Sequence, residues 1–256
     1  MPSLHDAAGA PMNEPVSVFR ALHHGRPPID PLVLPGPWDA ASAQAFEEAG
    51  FPALATPSAG VAASLGHADG RTPVAEMFAA VSRIARAVSV PVSADVEAGY
   101  GLAPEELVER LLEAGAVGCN LEDSVDGVLV EPRRQADRLA EVRAAAGNRL
   151  FVNARVDTYV HGDPAVTDVV AETIARARLY AEAGADCVYP IMAPADALPR
   201  LAAAVPVPLN ALGAPDGPSA TRRLGELGAA RVTFGPQLQR RAAEAVRGLA
   251  ARLLGS

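Results

Sequence analysis

Residues 113–123 read EAGAVGCNLED, and this stretch contains the unit from which the rest of the chain is built. Its first part has the composition of a helix end, and Gly115 can adopt the left-handed conformation that commonly terminates a helix. Residues 116–121 are mostly apolar, as expected of a strand buried in a parallel sheet. Related phrases recur along the chain: EAGF at 48–51, EAGADC at 182–187 and ELGAAR at 226–231. The sequence therefore predicts a repeated unit in which a glycine separates each helix from the next strand.

Extending this unit in both directions divides the chain into alternating strands and helices. The predicted strands are Pro31–Pro37, Ala53–Ala59, Val90–Glu97, Ala116–Asp123, Leu150–Asp157, Asp186–Ile191, Pro206–Leu212 and Ala230–Gly235. The predicted helices are Asp39–Ala49, Pro73–Val88, Pro104–Ala114, Glu131–Ala146, Pro164–Ala183, Pro194–Ala203, Ser219–Leu227 and Pro236–Leu254. Eight such units in about 220 residues match a (β/α)8 TIM barrel. The alternative is an open doubly wound sheet, but its usual GxGxxG turn does not open the first helix.

We therefore predict one α/β barrel domain spanning residues 1–256, with residues 1–28 as a leader before the first barrel strand. The chain has 30 acidic and 22 basic residues, which give a net charge of −8. This balance argues against nucleic acid and against an anionic membrane surface. No apolar run approaches the ~20 residues that span a bilayer, and the N-terminus lacks the pattern of a signal peptide. These features predict a cytoplasmic protein.

The basic residues and cysteines exclude further chemistry. All 22 basic residues are arginine. Without lysine, the chain cannot form a Schiff base, attach pyridoxal phosphate or build a P-loop. Cys119 and Cys187 are too few for a disulfide framework or a multi-thiolate zinc site, and we expect both to be buried and reduced.

Polar side chains collect where the third, fourth and fifth predicted strands end. Asp95 and Glu97 lie two residues apart at the end of the third strand. Glu122 is the last residue but one of the fourth strand, and Arg155 lies two residues before the end of the fifth. The strands of a barrel open their carboxyl ends at one mouth, so these carboxylates would repel each other unless a cation is present. Hard oxygen ligands without a histidine pair favour Mg²⁺, with Mn²⁺ as an alternative. A buried polar network that stiffens the mouth is the structural alternative, and it applies most strongly to Asp123 and Asp157.

At these residues the sequence resembles the isocitrate lyase/phosphoenolpyruvate mutase superfamily, including its phosphonomutase-like proteins. The resemblance covers nearly the whole chain, through PGPWDAASAQAFEEAGFPAL (35–54), SAGVAASLGHADG (58–70), ADVEAGYG (94–101), NLEDS (120–124), NARVDTY (153–159) and PLNAL (208–212). The family motif D-x-D-x-G-Y-G carries Glu97 in place of its second aspartate. The resemblance implies a (β/α)8 barrel, often in a tetramer of dimers that exchange their last helix. We therefore expect a homo-oligomer, a dimer or a tetramer, with Pro236–Leu254 as that helix.

The resemblance also implies roles for single residues. Asp95 resembles the direct Mg²⁺ ligand, and Glu97, Glu122 and Asp69 resemble ligands that act through water. Arg155 resembles the arginine that binds the substrate carboxylate, and it forms the expected catalytic group with Glu122 and Asp69. The expected substrate-binding residues are Trp38, Ser58, Ala59, Tyr100 and Asn210, of which Ser58 and Ala59 would act through backbone amides.

Two departures from the family bear on the reaction. Residues 122–132 read EDSVDGVLVEP, without the cysteine of the K-x-C-G-H loop of isocitrate lyases or the lysine of phosphonomutases. Ile191 stands where lyases have glutamate and the mutase has histidine. The resemblance therefore implies a Mg²⁺-dependent lyase that cleaves or forms a C–C bond next to a 2-keto or 2-hydroxy carboxylate through a metal-stabilised enolate. An oxaloacetate-type decarboxylase fits the missing acid. The alternatives are a C–P bond enzyme of the phosphonopyruvate type and a non-catalytic barrel that binds a small carboxylate.

Other titratable residues receive weaker predictions. His5, His23 and His24 precede the barrel, and we expect them at the surface. His67 and His161 lie in predicted loops near the mouth, where either would be a candidate proton donor. Tyr159 and Tyr189 are interpreted as packing residues, with a position on the pocket wall as the alternative.

Overall fold

The computed structural model describes residues 14–27, 29–162 and 165–255. Its strands are β1 (Leu32–Val33), β2 (Leu54–Ala55), β3 (Val92–Asp95), β4 (Gly118–Glu122), β5 (Ser124–Val125), β6 (Val128–Leu129), β7 (Phe151–Val156), β8 (Cys187–Pro190), β9 (Asn210–Leu212) and β10 (Arg231–Thr233). Its helices are α1 (Pro15–Leu22), α2 (Ala40–Glu48), α3 (Ser58–Leu65), α4 (Val74–Arg86), α5 (Pro104–Glu113), α6 (Pro132–Ala146), α7 (Thr158–His161), α8 (Val169–Glu182), α9 (Leu198–Ala204), α10 (Pro218–Glu226) and α11 (Gln237–Leu253). None of these helices is long and apolar enough to cross a membrane.

Eight of these strands pair in parallel, in two sheets with the neighbour orders β2-β3-β4-β7-β8 and β1-β10-β9. A parallel bridge between Val188 and Leu209 joins the sheets at one junction. At the other junction, the amide of Ala55 donates to the carbonyl of Pro35 at 3.2 Å. This order is consistent with the (β/α)8 barrel predicted from the repeated unit. The carboxyl ends of β3, β4 and β7 consequently lie side by side.

The helices cover the outside of the strands through apolar faces. In α4, Met77, Phe78, Val81 and Ile84 are buried at helical spacing. Fully burying a side chain of this size contributes roughly 1.5–3 kcal/mol, so each such helix is held mainly by its packing against the sheet. The two cysteines lie in this interior, free and buried as predicted.

Two predicted segments are shorter in the structure. The predicted strand Ala53–Ala59 pairs only at Leu54–Ala55, because Pro57 has no amide to donate and α3 begins at Ser58. The predicted helix Pro164–Ala183 begins as α8 at Val169, where the Asp168 side chain accepts from the Ala171 amide. Pro164 lies outside the described residues.

The loop after β4 forms an antiparallel hairpin, β5–β6. Asp126 and Gly127 form its turn, with φ values of 50° and 78°. Positive φ at two successive residues is typical of the tight turns that match the twist of a hairpin, and Asp-Gly is a preferred sequence for them. The dipeptide was therefore a usable hairpin signal that the sequence analysis did not apply.

The leader contributes to the core. Helix α1 places Phe19, which is fully buried, edge-on against Phe151 at a ring distance of 5.2 Å. The prediction that His23 lies at the surface was wrong: His23 is 4% exposed and stacks on Phe151 at 4.1 Å. Its Nδ1 donates to the Phe19 carbonyl at 2.8 Å. His23 is buried because α1 packs against Phe151 at the amino end of β7. Residues 1–13, including His5, and Pro28 lie outside the described part of the chain.

A buried polar network fixes the ends of β4 and β7 relative to α8. Asp123 accepts from the Asp157 amide at 2.8 Å, from the Tyr180 hydroxyl at 2.7 Å and from Arg176 Nη1 at 3.1 Å. Asp157 in turn accepts from the Ser124 hydroxyl at 2.6 Å. Both aspartates are fully buried. These contacts support the structural interpretation of Asp123 and Asp157.

We predict that His23 makes the protein sensitive to acid. Burial and the positive charge of Arg231 lower the pKa of His23 from 6.5 to about 3. Between these values the unfolded chain binds a proton that the folded protein does not, so stability falls as the pH drops from 6.5 toward 3. At pH 5 the loss from this histidine is about 2 kcal/mol. In urea unfolding at pH 7 and pH 5, His23→Leu should lose about 2 kcal/mol less than the wild type.

The matched control is His24→Gln, because His24 is the exposed neighbour of His23. This variant should keep the pH dependence of the wild type. Equal losses in the wild type and His23→Leu would contradict the prediction.

We also predict that Asp123→Ala is strongly destabilising. The substitution leaves the Arg176 guanidinium and the Tyr180 hydroxyl without their buried acceptor, which should cost about 3 kcal/mol or more in unfolding free energy. Glu172→Ala is the control, since Glu172 also binds Arg176, at 2.8 Å, but from a partly exposed position. The control should cost at most about 1 kcal/mol. Similar losses for both variants in urea unfolding would refute the assignment.

Candidate active site

A cavity of about 540 Å³ opens at the carboxyl ends of the parallel strands. Its wall is formed by the carboxyl ends of β2, β3, β4, β7, β8 and β10 and by the segments that follow them. Seven of the predicted site residues line it: Ser58, Ala59, Asp69, Asp95, Glu97, Glu122 and Arg155. The structure thus brings together every predicted metal-binding and catalytic residue.

Asp95 is anchored at the end of β3 by the start of α3. Its Oδ2 accepts from the Ser58 amide at 3.1 Å and from the Ser58 hydroxyl at 2.7 Å. The Asp95 amide donates to Thr56 Oγ1 at 3.2 Å. The Ser58 amide, expected to face substrate, is therefore already engaged by Asp95. The Ala59 amide lies in the first turn of α3, where helix geometry provides no intrahelical acceptor.

Glu97 lies in a loop with an uncommon backbone. Glu97, Gly99 and Tyr100 have φ values of 52°, 83° and 56°, in the left-handed region. The positive φ of Gly99 disfavours any side chain there, and a Cβ would also displace the Arg138 guanidinium, whose Nη2 would lie 2.6 Å away. Non-glycine residues held in this conformation store strain that is typical of functional loops. Burial and the nearby Asp95 and Asp69 raise the pKa of Glu97 to about 7.

Arg155 is held by carboxylates on both sides. Its Nη1 lies 2.7 Å from Glu122 Oε2, and its Nε and Nη2 donate to the two oxygens of Asp157 at 2.6 and 3.0 Å. A guanidinium has five N–H donors, so two remain for a ligand. Burial opposes the charge on Arg155, but Glu122 and Asp157 raise its pKa above the usual value. For Glu122, burial and the neighbouring acids outweigh Arg155 and raise the pKa to about 8.

The raised pKa values of Glu97 and Glu122 provide a test of whether a divalent cation fits this wall. Carboxylates that are buried together resist ionisation, and a bound cation would remove that cost. Among the described residues, no three His, Cys, Asp or Glu side chains are grouped so that they could hold one ion together. The donors on this wall are carboxylate oxygens, which suit a hard cation, and Mg²⁺ usually binds one or two carboxylates and keeps several waters.

Three predicted substrate-binding residues do not lie on the cavity wall as the structure describes it: Trp38, Tyr100 and Asn210. The Trp38 ring packs edge-on against Phe46 at 6.3 Å. Tyr100 packs against Phe78 and places its hydroxyl 3.5 Å from Glu97 Oε1, at the limit of a hydrogen bond. Asn210 is fully buried beneath the wall, where its Oδ1 accepts from the Thr233 hydroxyl at 3.2 Å.

The wall also contains residues without a predicted site role, among them Arg71, Asp126 and Thr233. His161, a candidate proton donor, and Tyr189, for which the wall was the alternative to packing, lie on it as well. For Tyr189, the signal was parity: its partner in the β7–β8 register is Arg155, so both side chains leave the sheet on the same face. Of the two loop histidines, His161 reaches the wall, whereas His67 lies 3.1 Å from Glu76 and does not.

Comparison with known proteins identifies the family of the chain. The sequence profile of the family described as phosphoenolpyruvate phosphomutase matches residues 19–254. A protein of unassigned function from Mycobacterium tuberculosis is 37% identical over 218 residues, which cover 85% of this chain and 81% of that protein. The 2-methylisocitrate lyase of Aeropyrum pernix is 33% identical over 195 residues, which cover 70% of this chain and 59% of the lyase.

Solved structures show the same architecture. A Burkholderia cenocepacia protein assigned provisionally as a phosphonomutase superposes with a TM-score of 0.85 at 38% identity, covering 93% of this chain and 99% of its own. A phosphonopyruvate hydrolase solved with oxalate and Mg²⁺ shares the fold, with a TM-score of 0.79 at 24% identity over 93% and 86% of the two chains. The chain therefore belongs to the phosphoenolpyruvate phosphomutase family, within the isocitrate lyase/phosphoenolpyruvate mutase superfamily of lyases and mutases.

Proposed function

We propose that this protein is a Mg²⁺-dependent lyase that cleaves or forms a C–C bond next to a 2-keto or 2-hydroxy carboxylate. The observation that carries the proposal is the shared cavity wall of Asp95, Glu97, Glu122 and Arg155. The three carboxylates of this wall can bind a cation, and the arginine can bind an anion. A small 2-keto acid presents an anionic carboxylate beside an oxygen that can bind a metal, so it complements both sides.

The chemistry follows from where negative charge develops. Cleaving the bond to the carbon beside a keto group leaves an electron pair that spreads onto the keto oxygen as an enolate. Mg²⁺, held directly by Asp95 and through water by Glu97, Glu122 and Asp69, would supply positive charge next to that oxygen. The two free N–H groups of Arg155 would orient the carboxylate. The Ala59 amide would donate a further hydrogen bond toward the developing charge, a role worth a few kcal/mol per good donor.

The hairpin β5–β6 favours a decarboxylase of an oxaloacetate-like acid within this class. Residues 122–132 contain no cysteine, histidine or lysine that could protonate a leaving group. Carbon dioxide leaves without a proton, and water can then protonate the enolate carbon. A lyase whose larger product must be protonated needs a positioned acid. The hairpin supplies no cysteine, histidine or lysine for this role, so in such a lyase the acid would have to come from elsewhere on the wall, where His161 is the candidate.

Two alternative functions have specific support. A C–P bond enzyme is supported by the similarity to the Burkholderia cenocepacia protein, whereas the absence of lysine argues against it. A non-catalytic barrel that binds a small carboxylate is supported by the replaced loop after β4. Turnover of any 2-keto acid would separate the enzymes from the binding protein, and the bond broken would separate the enzymes from each other.

We predict that oxalate, a mimic of the pyruvate enolate, binds to the wild type in the presence of Mg²⁺ and that Asp95→Ala weakens this binding at least about 100-fold. The reason is that Asp95 is the proposed direct ligand, and 100-fold corresponds to about 2.7 kcal/mol. Isothermal titration calorimetry with and without Mg²⁺ measures both effects.

Asp216→Ala is the matched control for this titration. Asp216 is exposed and paired with Arg241 at 2.7 Å, away from the cavity, so this variant should bind oxalate like the wild type. Absence of oxalate binding to the wild type with Mg²⁺ would refute the proposed enolate site. Binding that is indifferent to Mg²⁺ and to Asp95 would refute the metal assignment.

We also propose that the protein is a homo-oligomer in which subunits exchange or share their last helix. Helix α11 has 17 residues, none of them buried. Val246, Leu249, Leu253 and Leu254 are between 54% and 88% exposed. An amphipathic helix with an uncovered apolar face is typical of an interface between copies of a chain.

The wild type should therefore have the mass of a dimer or tetramer in light scattering. The double variant Val246→Asp/Leu249→Asp should lower that mass, because it places charges in the proposed interface. Val18→Asp, which changes an exposed apolar residue of α1, is the control and should not alter it. A monomeric wild type would contradict the proposal.

A further inference from the structure

Tyr189 stands out among the residues of the cavity wall because its hydroxyl has no hydrogen-bond partner. The side chain is 3% exposed. Thr233 lowers the pKa of Tyr189, as a neighbouring hydroxyl does, but no hydrogen bond of ordinary geometry joins the two hydroxyls, and the Thr233 hydroxyl donates to Asn210. A buried hydroxyl without a partner costs free energy that a bound ligand can recover.

The other hydroxyl groups on the described wall are already committed. Ser58 donates to Asp95, Ser124 to Asp157 and Thr233 to Asn210. Tyr189 therefore supplies the hydroxyl on this wall that remains available to a ligand. Burial raises the pKa of Tyr189 to about 12, so the group keeps its proton at neutral pH.

The position of Tyr189 in the sheet brings it beside the arginine of the site. Arg155 and Tyr189 are register partners on β7 and β8 and line the same cavity. Side chains of register partners leave the sheet on one face, at neighbouring positions. The remaining N–H donors of Arg155 and the free O–H donor of Tyr189 thus belong to the same part of the wall, with Glu122 of β4 on the other side of Arg155.

A surplus of donors continues below this part of the wall. Asn210 Nδ2 on β9 and Arg231 Nε and Nη1 on β10 are buried without an acceptor. Asp95, Glu97 and Glu122, on β3, the loop after it and β4, provide only acceptors when ionised. A ligand oxygen that accepts hydrogen bonds and carries negative charge matches the donor side, whereas a cation matches the acceptor side.

We infer that Tyr189 is a substrate-binding residue, whose hydroxyl donates a hydrogen bond to an anionic oxygen of the 2-keto acid next to the one bound by Arg155. This inference rests on the proposed function. It deepens that function by naming a residue that binds the carboxylate group of the substrate. Without ligand the buried hydroxyl makes no favourable contribution to the free energy of folding. With ligand it forms a charge-assisted hydrogen bond.

The test uses the full-length protein, Mg²⁺ and oxalate. Tyr189→Phe removes only the hydroxyl, so its melting temperature without ligand should equal or exceed that of the wild type. Its affinity for oxalate in calorimetry should fall about 10- to 100-fold, the range for a lost hydrogen bond to a charged group. Oxalate should also produce a near-ultraviolet tyrosine difference spectrum in the wild type that is absent from Tyr189→Phe.

Tyr159→Phe is the matched control. Its hydroxyl is likewise buried without a partner, but Tyr159 lies on α7 and does not line the cavity. This variant should bind oxalate like the wild type and keep the tyrosine difference spectrum.

Each other outcome overturns a defined statement. If the wild type and Tyr189→Phe bind oxalate equally, the inference fails and the proposed function stands. If Tyr189→Phe melts several degrees lower without ligand, the hydroxyl has a partner in the folded protein and the inference fails. If the wild type does not bind oxalate with Mg²⁺, the proposed function fails and the Tyr189 inference fails with it.

Discussion

The geometry of the cavity depends on the ion pairs of Arg155. Its guanidinium contacts Glu122 on β4 and Asp157 after β7, so one cation connects the acidic side of the wall to the donor side. Asp157 is tied through its amide to Asp123, which also holds Arg176 of α8. The charge that faces the cavity is therefore positioned by a chain of buried contacts. Breaking one member of such a chain leaves an uncompensated charge, so the network specifies the arrangement more than it adds stability.

The separation of charge across the cavity connects this network to the chemistry. Carboxylates come from β3 and β4, whereas guanidinium, phenol and amide donors come from β7, β8 and β9. The two groups of strands are neighbours in the sheet and meet where Arg155 contacts Glu122, so a small molecule at the mouth meets acceptors toward β3 and donors toward β8 and β9. A preorganised arrangement of this kind stabilises charge that develops during a reaction, because the groups need not reorient. The 2-keto acid in the proposed function is the ligand class that uses both sides.

The sequence predicted most of the fold and the chemical core of the site, for identifiable reasons. The repeated glycine after each helix and the apolar runs predicted the strands, and spacing by two placed Asp95 and Glu97 together at a strand end. The prediction was weaker where distant packing decides. Burial of His23 depends on α1 covering Phe151, and the positions of Trp38 and Asn210 off the wall depend on contacts with Phe46 and Thr233. For Tyr189 the sequence left both packing and a position on the pocket wall open, because nothing in the sequence shows whether the hydroxyl of a buried aromatic residue has a partner.

The hairpin β5–β6 has a consequence for how the cavity is closed to solvent. Paired strands and an Asp126-Gly127 turn make this segment stiffer than an irregular loop, and its base is fastened by the Val130 amide on the Asp123 carbonyl at 2.8 Å. Asp69, Arg71 and Asp126 on the rim are exposed. Water therefore has access to the rim of the cavity beside a stiff hairpin. In the proposed decarboxylation, solvent at this rim would protonate the enolate carbon, so the hairpin would not need to carry an acid.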